Sequence, residues 1–334
     1  MATPPRTLSA RHESLPLARP FRISRGVKTA ADVVTVAIAQ DGAVGRGEGV
    51  PYPRYGESVA SALAAIEAQR SAIEAGVGRE ELLTLMPAGA ARNAVDCALW
   101  DLEAQLAGKS VFAELGLAEP LPPIPTALTV GLDTPDAMGA AARDLADAVL
   151  IKVKVDASDA AAQLRAVREA ATHPRLIVDP NESWSMREME KLQDLMVELR
   201  VDLLEQPLPA GEDRGLDGFR SRIPIAADES IHTAADLDSL PSGYAVANVK
   251  LDKSGGLTAA LELAHGARER GLGLMTGCMV SSSLSIAPAL ALAADSAFVD
   301  LDGPLWLAED RPDGVSLADG MLRAPRAGFW GASG

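Results

Sequence analysis

Residues 201–230 read VDLLEQPLPAGEDRGLDGFRSRIPIAADES. Two short apolar runs in this stretch, 202–204 and 224–227, have the length and composition of buried strands. Glu205 directly follows the first run, and Asp228 follows the second. A repeat of this size fits one strand and one crossover segment of a parallel sheet, with an acidic residue at the end of each strand.

The same pattern extends in both directions along the chain. Apolar runs begin near eight positions: Ile124, Val149, Leu176, Val201, Ile223, Val246, Leu272 and Ala297. Helix-like segments lie between several of them, at 157–171, 186–199, 256–270 and 283–294. A strand and a helix recurring eight times predict a (β/α)8 barrel of the TIM type. A doubly wound open sheet is the alternative, and eight units in so short a stretch favour closure.

Charged residues recur where these apolar runs end. In a barrel of this kind the carboxyl ends of the strands form one face, which carries the active site. Successive units end in charged residues spaced 22 to 26 positions apart: Lys154, Asp179, Glu205, Asp228 and Lys250. Charge is costly inside a barrel unless it is paired or bound to a metal, so a shared site is favoured.

Three consecutive units contribute the carboxylates Asp179, Glu205 and Asp228. An all-oxygen set of this kind selects Mg²⁺, which prefers octahedral oxygen ligands. The sequence has no histidine or cysteine at these strand ends, which argues against zinc. The alternative interpretation makes each acid a solvated strand end or a helix N-cap.

Lysines flank the three acidic strands. Lys152 and Lys154 are two residues apart on one strand and therefore share a face, while Lys250 follows the sixth strand across the mouth. Two opposed amines beside a metal-bound carboxylate suit removal and return of an α-proton. The alternatives are surface lysines, or a Schiff-base lysine, which would leave the carboxylates and the second amine unexplained.

The first third of the chain has a different pattern. Alternating, valine-rich residues at 32–39 and 44–50 predict two strands joined at Asp41-Gly42. Helical spacing follows at 57–75 and 90–107, and a proline-rich stretch begins at Pro120. We therefore expect an α+β capping domain over residues 1–120, completed by about 315–334, and a barrel domain over 121–314.

Composition limits the functional classes. The formal net charge of −15 argues against nucleic acid and acidic membrane surfaces as partners. Cys97 and Cys278 are far apart and fit no metal or disulfide spacing, which favours a reducing cytoplasm. The N-terminus has no apolar core of a signal peptide, and no stretch is typical of a membrane span.

These motifs resemble the muconate-lactonising subgroup of the enolase superfamily. The resemblance spans nearly the whole chain and is carried by five segments: Lys152-Val153-Lys154, Asp179-Pro180-Asn181, Glu205-Gln206-Pro207, Asp228-Glu229-Ser230, and Lys250 followed by Ser254-Gly255-Gly256. Within the subgroup, 298–304 resembles the paired-aspartate motif of dipeptide epimerases. Residues 23–26 and 51–58 resemble their two capping segments.

The resemblance implies a role for each matching residue. Lys154 and Lys250 would be the acid/base pair, and Mg²⁺ would be held by the three carboxylates named above. The residues expected to contact a small dipeptide substrate are Thr126, Lys152, Cys278, Met279, Asp300 and Asp302, the last two binding its α-ammonium. Arg25, with Arg54 as a rival, would bind a side-chain carboxylate.

The implied activity is epimerisation of L-Ala-L-Glu and L-Ala-D-Glu in recycling of peptidoglycan peptides, by an enzyme that could form homo-oligomers. Other reactions of the subgroup stay open, namely cycloisomerisation, o-succinylbenzoate synthesis and N-acylamino-acid racemisation. Their substrates lack a free ammonium and would leave Asp300 and Asp302 without a partner. A non-catalytic, carboxylate-binding barrel is the rival from a different class.

Overall fold

An antiparallel sheet forms the first part of the chain. The computed structural model describes residues 6–23, 26–318 and 320–331, so Arg25 lies outside the described residues. The sheet has the order β1-β2-β3, with β1 at Thr7–Ile23, β2 at Gly26–Gln40 and β3 at Ala43–Gly49. Five helices follow: α1 (Val59–Ala68), α2 (Arg70–Glu74), α3 (Arg79–Leu85), α4 (Ala90–Ala107) and α5 (Val111–Glu114).

Helix α4 packs directly on β3 because β3 has glycine at every second position. A Cβ atom at Gly45, Gly47 or Gly49 would lie 2.1 Å from a carbonyl oxygen of α4. The α4 residues that approach so closely are alanines four positions apart, which present the same face of the helix. Small residues on both elements thus set the contact between the sheet and α4.

Eight parallel strands form the second part, confirming the predicted barrel. They pair in chain order, from β5 to β12. Their bounds are β5 (Ala127–Val130), β6 (Leu150–Lys154), β7 (Arg175–Asp179), β8 (Leu203–Glu205), β9 (Ile225–Ala227), β10 (Val246–Val249), β11 (Gly273–Gly277) and β12 (Phe298–Asp300).

The helices of this part are α6 (Pro135–Asp144), α7 (Ala160–Ala170), α8 (Met186–Glu198), α9 (Leu251–Ser254), α10 (Leu257–Glu269) and α11 (Ser283–Ala293). Short 3-10 turns replace α-helices after β8 and β9. Side chains join the first and last strands, because Leu301 N donates to Thr126 Oγ1 and Thr129 N to Asp302 Oδ2, each at 2.9 Å.

The C-terminal segment returns to earlier parts of the chain. Strands β13 (Ser316–Ala318) and β14 (Met321–Arg323) form a small sheet with β4 (Ile124–Pro125), which precedes the barrel. Beyond them, the buried Trp330 donates from Nε1 to Cys97 O on α4, and Val111 N donates to Gly331 O. Residues 330 and 331 therefore contact the α-helices of the N-terminal part.

Three features differ from the sequence-based expectations. Strand β1 was not predicted, and β2 begins earlier than residue 32. The first barrel strand starts at Ala127, because Ile124 and Pro125 pair with β14 instead. Within the described part of the chain, every helix is too short or too polar to cross a bilayer.

Candidate active site

The site is one layer of side chains inside the barrel. Below it lies an apolar layer with one buried residue from each strand: Ala127, Leu150, Ile177, Leu203, Ala226, Val246, Met275 and Phe298. Since alternate residues of a strand share a face, the next layer up lies two positions further along each strand. It consists of Thr129, Lys152, Asp179, Glu205, Asp228, Asn248, Gly277 and Asp300.

Lys152 is the centre of this polar layer. Its side chain is 2% exposed, and its Nζ lies 3.1 Å from Asp179 Oδ2, 2.7 Å from Glu205 Oε2 and 2.8 Å from Asp300 Oδ2. One ammonium thus joins the acids of β7, β8 and β12. The layer itself has four carboxylates and one lysine, so it has an excess of negative charge.

Lys154 and Lys250 enter from the layer above, on opposite walls. Lys154 Nζ lies 2.5 Å from Asp179 Oδ2, and Lys250 Nζ lies 2.7 Å from Asp228 Oδ2. Lys154 ends the second of eight barrel strands and Lys250 follows the sixth, so half of the ring separates them. The structure thus brings together all five residues of the predicted charged set, with Glu205 between the two lysine–aspartate pairs.

The buried charges shift the pKa values of these groups. Burial would raise the pKa of Asp179, but Lys154 and Lys152 outweigh burial and hold this pKa below its usual range. Burial and the nearby Asp179 charge raise the pKa of Glu205. Burial would lower the pKa of Lys250, but the Asp228 carboxylate outweighs it and raises this pKa. Of the two carboxyls Asp179 and Glu205, Glu205 therefore binds a proton more readily.

The paired aspartates lie at the end of β12 (Asp300) and two residues beyond it (Asp302). Asp302 Oδ2 accepts hydrogen bonds from Thr129 N at 2.9 Å and Trp306 Nε1 at 3.3 Å. Asp300 Oδ2 contacts Lys152, whereas Asp300 Oδ1 is buried without a hydrogen-bond partner. Burial and the neighbouring Asp300 charge raise the pKa of Asp302. The pair therefore has an acceptor oxygen and negative charge to offer to a cationic group.

Thr126 is placed differently from the other expected contact residues. It is 1% exposed, and its Oγ1 accepts the hydrogen bond from Leu301 N that joins the first and last strands. Thr129, three positions later and in the polar layer, lines the cavity together with Cys278 and Met279. A direct contact between Thr126 and substrate stays a prediction.

A cavity of about 530 Å³ extends from the barrel mouth to the N-terminal sheet. Its barrel side includes both catalytic candidates, Lys154 and Lys250. Its opposite wall includes Phe21, Lys28 and Tyr52. Lys28 Nζ lies 4.7 Å from the centroid of the Tyr52 ring, a cation–π distance.

Arg54 also lines the cavity, but Glu182 binds it. The guanidinium donates to both carboxylate oxygens of Glu182, at 2.9 and 2.7 Å. A bidentate pair of this kind holds the guanidinium in one orientation. The role considered for Arg25 stays a prediction, because this residue lies outside the described residues.

The three predicted Mg²⁺ ligands form ion pairs with lysines in the structure. Within residues 6–23, 26–318 and 320–331, no three acidic, histidine or cysteine side chains are grouped so that they could hold a metal ion as they stand. Asp179, Glu205 and Asp228 each contact a lysine ammonium instead. The donor set still fits Mg²⁺, because all of its ligand atoms are carboxylate oxygens and all three side chains are buried.

Three polar residues around the carboxylates had no role predicted from the sequence. Asn248 Nδ2 donates to Glu205 Oε1 at 2.9 Å, and Gln206 Oε1 accepts from Asp228 N at 2.8 Å. Lys253 Nζ lies 2.6 Å from Asp228 Oδ1. Alternation identifies Asn248, since it precedes Lys250 by two positions. Lys253 lies on α9, three positions after Lys250, which is the N-cap of that helix, and this spacing places both lysines on one side.

Comparison with known proteins places this site in a family. Residues 6–116 match the model for the mandelate racemase / muconate lactonizing enzyme N-terminal domain, and residues 136–329 match the enolase C-terminal domain-like model. The L-Ala-D/L-Glu epimerase of Escherichia coli (strain K12) is 46% identical over 319 residues, covering 95% of this chain and 99% of that protein. An N-acetyl-D-glutamate racemase of a Pseudoalteromonas species is 44% identical, covering 90% and 96%.

Solved structures agree with this placement. An enolase family member from Agrobacterium tumefaciens, with bound sodium and L-Ala-L-Glu, superposes with a TM-score of 0.95 at 46% identity, covering 98% of this chain and 100% of that one. A Methylococcus capsulatus dipeptide epimerase, complexed with Mg and L-Arg-D-Lys, has a TM-score of 0.88 at 35% identity, covering 96% and 97%. By sequence and by fold, the chain belongs to the mandelate racemase / muconate lactonizing enzyme family of the enolase superfamily, among its racemases and epimerases.

Proposed function

We propose that the protein is a cytoplasmic, Mg²⁺-dependent dipeptide epimerase that inverts the α-carbon of the C-terminal residue. The observation that carries the proposal is the placement of Lys154 and Lys250. They end the second strand and follow the sixth, on opposite walls of one cavity, with a buried carboxylate cluster between them. An α-carbon held between two such amines can lose a proton on one face and gain one on the other.

Mg²⁺ would be held by Asp179, Glu205 and Asp228. Their burial and their all-oxygen set of donor atoms support this assignment. When bound, the metal supplies positive charge that stabilises the negative charge developing on the substrate carboxylate. Lys152, whose side chain is 2% exposed, adds a second fixed positive charge beside the same acids.

Lys154 and Lys250 would remove and return the α-proton, so that no net proton is gained or lost by the pair. For one epimer, the neutral amine of one lysine takes the α-proton and becomes an ammonium. The ammonium of the opposite lysine then gives its proton to the other face and becomes a neutral amine. The reverse reaction uses the same pair with the roles exchanged, so the enzyme needs both residues in either direction.

The ends of a dipeptide fit the remaining polar groups. Asp300 and Asp302 would bind the free α-ammonium, and the buried Asp300 Oδ1 without a hydrogen-bond partner supports this role. On the opposite wall, Lys28 would meet the side chain of the second residue. A cation there favours an acidic side chain, which supports L-Ala-L-Glu and L-Ala-D-Glu, peptides released in peptidoglycan recycling, as the substrates.

A second candidate function is racemisation of an N-acylated glutamate, which the 44% identical N-acetyl-D-glutamate racemase favours. Such a substrate would also use the two lysines and Lys28. It has no ammonium, however, and would leave the carboxylates of Asp300 and Asp302 without a cationic partner in a buried position. The paired aspartates therefore favour the dipeptide.

One experiment separates these functions. The protein is incubated with Mg²⁺ in D₂O, with L-Ala-L-Glu or N-acetyl-L-glutamate, and the glutamate α-proton is followed by NMR. Loss of the signal together with inversion of L-Ala-L-Glu supports the epimerase. Faster inversion of N-acetyl-L-glutamate supports the racemase. No exchange with either substrate contradicts both and favours a binding protein.

A further inference from the structure

Lys253 is a second lysine on the Asp228 carboxylate, and the proton-transfer scheme does not use it. Its side chain is 0% exposed. Its Nζ donates to Asp228 Oδ1 at 2.6 Å, to Ile231 O at 2.9 Å and to Asn248 O at 3.0 Å, and it also contacts the backbone carbonyl of Asp228. Four acceptors around three N–H donors saturate this ammonium.

The two lysines hold different oxygens of Asp228. Lys250 contacts Oδ2, whereas Lys253 contacts Oδ1. Lys253 also bonds the backbone of Asp228 itself and a carbonyl of β10, so its ammonium ties the end of β9 to the end of β10. These contacts fix the plane in which the Asp228 carboxylate lies and leave Oδ2 directed toward the lysine that lines the cavity.

We propose that Lys253 is a positioning residue that orients the Asp228 carboxylate for Mg²⁺. The proposal rests on the function proposed above, in which Asp228 is a metal ligand. The two lysines then have different roles. Lys250 lines the cavity where the α-proton moves, whereas the N–H donors of Lys253 are all engaged by protein acceptors.

The sign of one measurement distinguishes positioning from a simple charge effect. If Lys253 acted only as a positive charge near the metal, its removal would tighten Mg²⁺ binding, because less positive charge would oppose the cation. If it orients Asp228, its removal weakens Mg²⁺ binding. Loss of an outer partner of a metal ligand typically lowers metal affinity about 10- to 100-fold.

The test is Mg²⁺ titration by calorimetry of wild-type protein, Lys253→Met and a control, Arg168→Met. Arg168 is a matched control because it is also a buried cation, and it donates to the backbone carbonyls of Leu199, Ala171 and Pro174. We expect about 10-fold or greater weakening in Lys253→Met and a change of less than about 2-fold in Arg168→Met. Unchanged or tighter binding in Lys253→Met overturns the proposal.

Three further readouts separate a positioning role of Lys253 from a loss of stability. The titration stoichiometry reports the folded fraction, so instability alone does not change the measured affinity of the folded protein. Saturating Mg²⁺ should restore exchange of the α-proton in Lys253→Met, which it cannot do if Lys253 is an acid/base group. Should Lys253→Met fail to fold, a crystal structure of the wild-type protein with Mg²⁺ decides, because a Lys253 ammonium turned away from Asp228 overturns the proposal.

Measurements on the wild-type protein distinguish failure of the Lys253 proposal from failure of the proposed function. Wild-type protein that epimerises the dipeptide with Mg²⁺, together with a Lys253→Met variant of unchanged affinity, upholds the function and overturns the role of Lys253. Wild-type protein that fails to bind Mg²⁺ overturns both.

Discussion

Lys28 Nζ lies 4.7 Å from the centroid of the Tyr52 ring, on the cavity wall that faces the barrel mouth. Lys28 belongs to β2, and Tyr52 precedes the short 3-10 turn that also contains Arg54. Arg54 on the same wall is bound bidentately by Glu182, and we predict that Lys28, which also lines this wall, contacts a substrate carboxylate. The cavity therefore has carboxylates and amines in the barrel and a cation on the opposite wall.

Replacing Lys28 by methionine should lower kcat/KM for L-Ala-L-Glu by about 10- to 100-fold, the effect of losing one hydrogen bond to a charged group. The same variant should process L-Ala-L-Gln nearly as well as wild-type protein does, because the amide carries no charge. Lys191→Met, at an exposed position of α8, is the control and should leave both substrates unaffected. Equal losses on the two substrates would show that Lys28 does not read the side-chain charge.

Replacing Lys154 or Lys250 by alanine should abolish epimerisation, because each amine serves only one face of the α-carbon. Each variant should keep α-proton exchange with D₂O for one epimer alone, and the two variants should retain opposite epimers. NMR of both L-Ala-L-Glu and L-Ala-D-Glu in D₂O measures this. Full activity in both directions in either variant would exclude the two-base mechanism.

Replacing Asp300 by asparagine should selectively weaken the dipeptide reaction. The side chain keeps its size, but the ammonium loses a charged partner, so we expect kcat/KM for L-Ala-L-Glu to fall about 10- to 100-fold. Any turnover of N-acetyl-L-glutamate should stay level or rise, since that substrate has no ammonium. The ratio of the two kcat/KM values is the measurement, and a ratio equal to that of wild-type protein would remove the paired aspartates from substrate recognition.

The barrel could be predicted because its signals are local and repeat. Each unit has a short apolar run, and the period of two places Asp179, Glu205 and Asp228 directly above Ile177, Leu203 and Ala226 in the barrel interior. One strand alone would not have indicated a site. The site was indicated by charged residues at equivalent heights on adjacent strands, because parallel strands end at the same face of the barrel.

What the sequence could not predict depends on contacts between distant segments. Strand β1 has buried and exposed residues without a continuous apolar face, includes Pro16 and Pro20, and is stabilised by pairing with β2. The pair of Arg54 and Glu182 joins segments 128 positions apart. Neither contact has a local pattern, so substrate recognition was harder to predict than the catalytic layer.

Asp96 links the two parts of the chain and should make stability depend on pH. On α4, its carboxylate accepts hydrogen bonds from Thr258 N at 3.0 Å and Thr258 Oγ1 at 2.6 Å, at the start of α10. Burial raises the pKa of Asp96 from 3.8 to about 6, although the hydrogen bonds from Thr258 oppose this shift. The folded chain therefore holds this proton more tightly than the unfolded chain does.

The sign of the pH dependence follows from that difference. The contribution of Asp96 to the free energy of unfolding is complete below about pH 4 and is lost as the pH rises through about 6, for a total of about 3 kcal/mol. Asp96→Asn is neutral at every pH. The free energy of unfolding of this variant, minus that of wild-type protein, should therefore rise by up to about 3 kcal/mol between pH 4 and pH 7.

Urea denaturation at each pH measures the difference, and Asp41→Asn in an exposed turn is the control, for which the difference from wild-type protein should not change with pH. A flat difference for Asp96→Asn as well would mean that this carboxyl loses its proton as readily in the folded chain as in the unfolded one.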